Sequence, residues 1–481
     1  MLRSMTAQKT VISARIAKAE THRNEGDFPA AMQILGALFQ AYPGDCDVVL
    51  ALALTWAAMG GKSQALALVE RGLRSCPSDI GLRLEQAALL EQLGRASEAE
   101  ELLAGCAEPL PLLRLGYLQR RLLAYDRAMA SARRLTDSHP AFSPGWISLG
   151  ISLYTAGDLA AAEACFETAL TLAPGDPVAE FSLGTCLLMD GRWQKGFRGF
   201  SARRRFPDAV AAPAGLAEMR GGERSLLLWN DQGLGDAIQF LRYVPLLRQS
   251  GRETVLVVPD ALVRVARTVP GIGPVLAQGE ELPPLDAHLP MMDVPVLLGL
   301  DEVPAQGPYI AADPDAVSRW RRRFAPLPGL KVGLVWAGEL RVSRFQITEM
   351  DRRRRVDPTD FAPLLATPGA SFVSLQFGAP PLPGTMGVME GVADFADTAA
   401  IIEALDLVIT VDTSVAHLAG ALGKPVWVLS RHDGCWRWMR DRADSPWYPA
   451  ARVFRQTVPG DWAPVIAEVA ASLGERIAAR I

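Results

Sequence analysis

Asp412, Thr413, Ser414 and His417 stand close together in an otherwise apolar stretch, LDLVITVDTSVAHLAGALGKPVWVLS (405–430). Leu405–Val411 is short and β-branched, as expected of a buried parallel strand. Asp, Thr and Ser all favour helix N-caps, so a short helix is expected over Val415–Leu422, ended by Gly423. A second buried strand follows at Val426–Leu429. A strand–loop–helix–strand unit of this kind points free amide N–H groups and the positive end of a helix dipole out of the sheet's carboxyl edge. That is an anion cradle suited to a phosphate or diphosphate. Thr413, Ser414 and Val415 would supply the amides, and His417, one turn in, would look into the same cradle. The plainer alternative is an ordinary capped helix in a wound sheet.

A second candidate set lies upstream, in SLLLWNDQGLGDAIQFLRYVPLL (225–247). Gly233 and Gly235 form a glycine loop after a strand, where the lack of Cβ lets a ligand approach the backbone. Asp236 is expected at the start of the following helix, over 236–248. There it is either a general base facing a cleft or simply an N-cap. Gln239 and Tyr243 share its helical face. Further on, the strand end VGLVWAG (332–338) places Trp336 beside small residues that leave room for a ligand. Arg341, Arg344 and Arg352–Arg355 follow; guanidinium groups bind phosphate in bidentate fashion, and Arg354 is assigned that role, the alternative being a solvated charged loop. Gln376 ends the strand FVSLQ, able to hydrogen-bond a base or ribose. After Leu429 come His432, Trp436, Arg437, Trp438 and Arg440, placed to stack on or clamp a ligand.

The elements that must position these residues follow from length and pattern. A chain of 481 residues is too long for one core, and about 150 residues per domain suggests roughly three. Apolar residues make up 49% and charged ones 21%, a globular profile. A formal net charge of −4 gives no basic field for nucleic acid. The six cysteines show no CxxC, and Cys46, Cys76, Cys106, Cys165 and Cys186 read as small buried helix residues, which fits a reducing compartment. The first residues lack a signal peptide's apolar core, and no stretch reaches the ~18 apolar residues of a membrane span. A cytoplasmic protein is expected.

Up to about residue 207 the chain repeats. Turn glycines fall at Gly26, Gly60, Gly94, Gly157 and Gly191, with prolines at Pro43, Pro77, Pro140, Pro174 and Pro207. The common step is 34 residues, the tetratricopeptide period. One unit carries Trp146, Leu149, Gly150, Ala162, Phe166 and Pro174 at the signature offsets. Helix pairs of this kind bury their apolar faces only by stacking, so an α-solenoid over 1–207 is expected, with a groove that docks a protein or peptide; the plainer alternatives are a rigid spacer or a dimerisation surface. A connector, 208–222, is rich in Ala, Gly and Pro. Beyond it strands alternate with helices in two sets, 223–326 and 327–481, which argues for two parallel-sheet domains and a cleft between them.

Taken together, QGLGDAIQFLRY (232–243), VGLVWAG (332–338), DFADTAAIIEALDLVITVDTSVAHLAGALGKPVWVL (394–429), WRW (436–438) and SPWYP (445–449) resemble the heptosyltransferase-like glycosyltransferase family 9. The repeats ahead of them give an architecture similar to bacterial protein and flagellin O-glycosyltransferases. The resemblance covers nearly the whole chain. It implies a tetratricopeptide solenoid followed by a GT-B pair of Rossmann-like domains. It implies an inverting, metal-independent transfer of a sugar from a nucleotide-sugar donor, with no bound cofactor. It assigns Asp236 as the base, Thr413–His417 as the donor diphosphate loop, and Asp412 to the donor sugar. The acceptor would be a protein hydroxyl docked by the array, flagellin being one candidate. Alternatives are a lipid-linked or polysaccharide acceptor, or a non-catalytic adaptor with a degenerate GT-B domain.

Overall fold

A computed structural model describes residues 2–304, 307–338 and 350–479. The chain divides into two compact units, Met1–Ser152 and Leu153–Ile481.

The first unit is built of helix pairs: Leu2–Asn24 with Phe28–Ala41, Cys46–Ala58 with Lys62–Ser75, Ile80–Gln92 with Ala96–Ala104, and Pro109–Arg121 with Tyr125–Ser138. The turn inside each pair needs a residue of positive φ, and Gly26 (81°), Gly60 (88°) and Gly94 (78°) provide it without steric cost. In the pair that lacks a turn glycine, Leu123 takes the left-handed conformation instead, with φ 58°. Aspartates punctuate the starts: Asp27, Asp45 and Asp79 each accept a backbone N–H of the helix they precede. One expectation is overturned here. Cys46 and Cys76 are not isolated buried thiols but form a disulfide. Antiparallel packing brings the first residue of one helix beside the C-cap of the next, which a spacing of 30 residues does not announce. Cys106, Cys165 and Cys186 lie outside that disulfide and are buried. Cysteine usage therefore no longer argues for a reducing compartment.

The second unit begins with the helical hairpin residues Leu159–Leu172, Pro177–Met189 and Trp193–Phe200, and a 3-10 turn at Ser201–Arg205. The last two helices touch backbone to backbone. A Cβ on Gly199 would lie 2.7 Å from the Cα of Gly184, so only glycine fits. Their far side carries Trp193, Phe197 and Phe200 into a ring cluster with Phe240, Trp436 and Trp447. Centroid separations are 5.3 Å for Trp193–Trp447 and 5.8 Å for both Phe197–Phe240 and Phe200–Trp436. Such pairs add about 0.5–1.5 kcal/mol each beyond area burial, which is why these helices fold with the sheets.

Two parallel sheets follow. The first has the order β3-β2-β1-β4, with β1 Ser225–Trp229, β2 Glu253–Val258, β3 Val275–Ala277 and β4 Ala287–Pro290. The second has the order β10-β9-β8-β5-β6-β7, from β5 Leu330–Val335, β6 Ala370–Ser374, β7 Met386–Gly387, β8 Leu407–Val411, β9 Val426–Ser430 and β10 Ala451–Arg455. Every residue of β8 and β9 is buried, as parallel strands covered on both faces require. β4 is short: after it the chain turns into a 3-10 segment and the helix Val294–Leu298, which Pro295 can join only at its start. The helix expected over 236–248 is likewise interrupted. It runs Leu234–Phe240 and then Val244–Gln249, with a 3-10 turn between. Pro245 lacks an N–H and its ring crowds the carbonyl four residues earlier, so a continuous helix is excluded.

Candidate functional site

In the second sheet the strand order reverses between β5 and β8. In wound parallel sheets the crevice at the carboxyl ends of such neighbouring strands is where ligands bind. β5 delivers Trp336–Gly338 to that edge and β8 delivers Asp412 and Thr413. The helix Ser414–Ala421 starts there, with Thr413 at its N-cap.

Unlike the aspartate-capped array helices, this helix start is uncapped. Thr413 makes no side-chain bond to the first-turn amides. Its hydroxyl pairs with that of Thr410 at 3.1 Å, deep in the strand. The amides of Ser414 and Val415 are therefore left for another acceptor, and the ordinary capped-helix alternative does not describe this element.

The glycine loop of the first sheet meets this helix start. A Cβ on Gly235 would fall 2.8 Å from His417 Cδ2 and 3.3 Å from Ser414 Cα. The absence of that Cβ is what allows the contact. Asp236 is not the N-cap, which is Gly233. It sits at the third helical position and reaches back to accept the Gly233 N–H at 2.9 Å, as acidic residues there commonly do. Its other oxygen pairs with Arg437. Arg437 also donates from Nε to Gln239 Oε1 at 2.9 Å and lies over the Trp436 ring, 4.1 Å from its centroid. Asp236, Gly235, Gln239, Arg437, Ser414 and His417 thus converge, although 201 residues separate Asp236 from Arg437.

His417 is buried. Its Nδ1 shares a hydrogen with the Tyr448 hydroxyl at 2.9 Å, its ring stacks on Trp438 at 5.4 Å, and Nε2 lies 4.0 Å from Asp412 Oδ1. Burial pushes the imidazole pKa down to about 4; Asp412 and Asp236 pull it up while Arg437 and Arg242 push it further down. The ring is neutral near pH 7. Burial works to raise the pKa of Asp412, but His417, Arg354 and Arg431 more than offset it and hold the carboxylate below its usual range.

A stability prediction follows from His417. Its folded pKa lies below the unfolded value of 6.5, so the folded state binds fewer protons between the two. The neutral ring's contribution is complete above about pH 6.5 and is lost as pH falls toward about 4, by a few kcal/mol at most. Asp412 acts only below its own ordinary value of 3.8, a separate window. Urea titrations across this range should show falling stability in the native chain and a flattened profile in His417→Gln. An equally steep fall in the variant would show that other groups carry it.

Several expected ligand contacts are corrected. Trp336 does not line the crevice: it is 2% exposed and belongs to the core on the sheet's other face, with Phe361 and Trp462. Trp436 is 3% exposed and packs on Phe197 and Phe200, a platform for Arg437 and not a ligand stack. The Gln376 amide is saturated by backbone: Oε1 accepts from Trp336 and Ala337, and Nε2 donates to the carbonyls of Ala337 and Phe377. It ties two strand ends together and has nothing left for a base or ribose. Arg354 pairs with buried Asp351 at 2.6 Å and donates to the Asp412 carbonyl at 2.6 Å, bracing the end of β8. Arg440 turns away to the carbonyls of Tyr154 and Thr155. Arg341 and Arg344 lie outside the described residues.

Two features were missed by sequence reasoning. Arg242, 1% exposed, is enclosed by the rings of Tyr309, Trp447 and Tyr448 and donates to Gln239 O, Trp447 O and Tyr309 Oη. Arg203, from the 3-10 turn after the repeats, is buried between Asp231 and Asp293 at 2.8 and 2.7 Å. Asp231 belongs to the loop that leads into Gly233. Among the described residues no helix is long and apolar enough to cross a membrane.

Comparison with known proteins agrees with the repeats. Residues 113–177 and 147–198 match the tetratricopeptide repeat family. The N-terminal part is a tetratricopeptide solenoid, followed by parallel sheets. Protein FlbA of Caulobacter vibrioides is 28% identical over 457 residues, covering 82% of this chain and 73% of that protein. Among solved structures, YrrB, a tetratricopeptide protein with an unusual peptide-binding site, is 17% identical with a TM-score of 0.27, covering 36% of this chain and 93% of its own. PilF of Pseudomonas aeruginosa is 13% identical with a TM-score of 0.33, covering 42% and 95%.

Proposed function

We propose that the chain is a glycosyltransferase of GT-B type. It moves a sugar from a nucleotide-sugar donor to a protein hydroxyl presented by the tetratricopeptide array, flagellin being the acceptor that the sequence resemblance brings forward. The observation that carries this reading is the uncapped start of the Ser414–Ala421 helix, at the strand-order reversal, with the Asp236 loop against it. In the reaction the acceptor hydroxyl gives its proton to Asp236 as its oxygen bonds to the anomeric carbon. The bond from that carbon to the diphosphate oxygen breaks, and the electron pair leaves with the nucleotide diphosphate. The developing charge is met by the Ser414 and Val415 amides. Attack from the side opposite the leaving group inverts the anomeric centre. The transfer proceeds without a metal, so turnover is unaffected by EDTA.

The test is a thermal-shift screen of the full chain against UDP-, GDP-, ADP- and dTDP-sugars, followed by donor hydrolysis assays on any that bind. A ligand at 100 times its dissociation constant stabilises by roughly 2.7 kcal/mol. Absence of any shift and of any hydrolysis across the panel would leave the helix start without its ligand and sink the reading.

A further inference from the structure

We infer that Arg437 is a shared cation: it pairs with Asp236 and is drawn from it onto the donor's diphosphate when that binds, so the base is uncovered only after the donor is in place. The inference rests on the glycosyl-transfer reading and names the group that orders its steps.

Three observations lead to it. First, both Asp236 oxygens are engaged, Oδ2 by the Gly233 N–H and Oδ1 by Arg437, so neither faces an incoming hydroxyl. Second, Arg437 is anchored independently of Asp236. Its guanidinium rests on Trp436 at 4.1 Å and bonds Gln239 Oε1 at 2.9 Å, with Cys435 Sγ 3.3 Å from Nη1. It can change its partner without losing its place. Third, the polar group beside it is incomplete: Gln239 is fully buried, yet its Nε2 has no hydrogen-bond partner. A buried amide N–H₂ left open, next to a cation and two helix starts, points to an acceptor-rich ligand. The Gly235 contact with His417 and Ser414 places these groups beside the free amides.

The chemistry favours the exchange. A diphosphate carries more charge and more acceptor oxygens than a carboxylate, and guanidinium matches it in bidentate fashion. With Arg437 on the diphosphate, Asp236 keeps only its Gly233 bond and has an oxygen free for the acceptor hydroxyl. No bond to Arg437 is made or broken covalently, and its proton stays in place throughout.

The test is isothermal titration of the full-length chain with UDP, GDP, ADP and dTDP. It compares the native protein, Arg437→Met, Asp236→Asn and the double variant. The diphosphate that binds should bind about tenfold more weakly to Arg437→Met. It should bind several-fold more tightly to Asp236→Asn, because the competing carboxylate charge is gone. The double variant should match Arg437→Met, since the gain from Asp236→Asn runs through Arg437. An Asp236→Asn gain that persists in full without Arg437 reduces the effect to charge repulsion and overturns the inference, as does an unchanged affinity in Asp236→Asn. The Asp236→Asn arm keeps its helix-start bond and stands even if Arg437→Met folds poorly. If the native chain binds none of the four diphosphates, the glycosyl-transfer reading itself falls; if it binds one with no dependence on Arg437 or Asp236, only the inference falls.

Discussion

Asp236→Asn should lower the rate of transfer by two to four orders of magnitude, the range usual for loss of a positioned general base. At 1.36 kcal/mol per tenfold this is about 3–5 kcal/mol of barrier. The change is close to isosteric, and an amide oxygen can still accept the Gly233 N–H that Asp236 Oδ2 takes at 2.9 Å. Arg437 loses its ion-pair partner, however, so folding stability should fall by about 1–3 kcal/mol, and transfer is compared where both proteins are folded. Donor affinity should not fall, because the removed charge faces Arg437 and the anion site. Loss of turnover with donor binding intact is the pattern of an interaction used only in the transition state. Single-turnover transfer alongside donor titration measures both. Turnover within threefold of the native rate would remove Asp236 from the chemistry and leave its role as the helix-start residue alone.

The residues that converge on the site differ in how visible they were beforehand. The Ser414–Ala421 helix start was legible because an apolar β-branched run, three cap-forming residues and a terminal glycine are local signals, each with its own physical cause. The array was legible from its period. Failures arose where the outcome depends on which way a side chain turns. Trp336 stands at a strand's carboxyl end, as expected, but its side chain packs into the core on the sheet's far face with Trp462. Gln376 also stands where expected, and its amide is absorbed by two neighbouring strand ends. In WRW the two indoles pack inward and the arginine between them reaches Asp236; alternation in a loop gave no warning of which would do which. Leu123 occupies a turn where every rule asks for glycine, and only the repeat spacing could have flagged it. The basic run Arg203–Arg205 looks like a solvated face, but its first member is buried against partners 28 and 90 residues away. Contacts at that separation leave no trace in a local window.

Arg203→Met should destabilise the second unit by about 3–5 kcal/mol, because removing one partner of a buried ion pair leaves uncompensated charge behind. Here two carboxylates are stranded. Arg203, Asp231 and Asp293 side chains are each no more than 5% exposed, and Arg203 bonds Asp231 at 2.8 Å and Asp293 at 2.7 Å. Arg204 at 3.0 Å and the Ser201 hydroxyl at 2.8 Å still serve Asp293 in the variant, so Asp231 is the group left worst off. Burial already raises the Asp231 pKa against the pull of Arg203. Without Arg203 the rise should be larger, so protonation relieves the penalty and the variant's deficit should shrink as pH falls. Adding Asp231→Asn should then restore stability to Arg203→Met while costing stability in the native background. That reversal of sign identifies a coupled pair. Urea unfolding of the four proteins reads it directly. Equal costs for Asp231→Asn in both backgrounds would mean that the two residues are not coupled. The consequence for function is positional. Asp231 lies two residues before Gly233, so the last turn of the repeats is tied to the loop that carries Asp236. Under conditions where Arg203→Met remains folded, transfer should still slow and donor affinity should hold, since the amides of the Ser414–Ala421 helix do not depend on that tie.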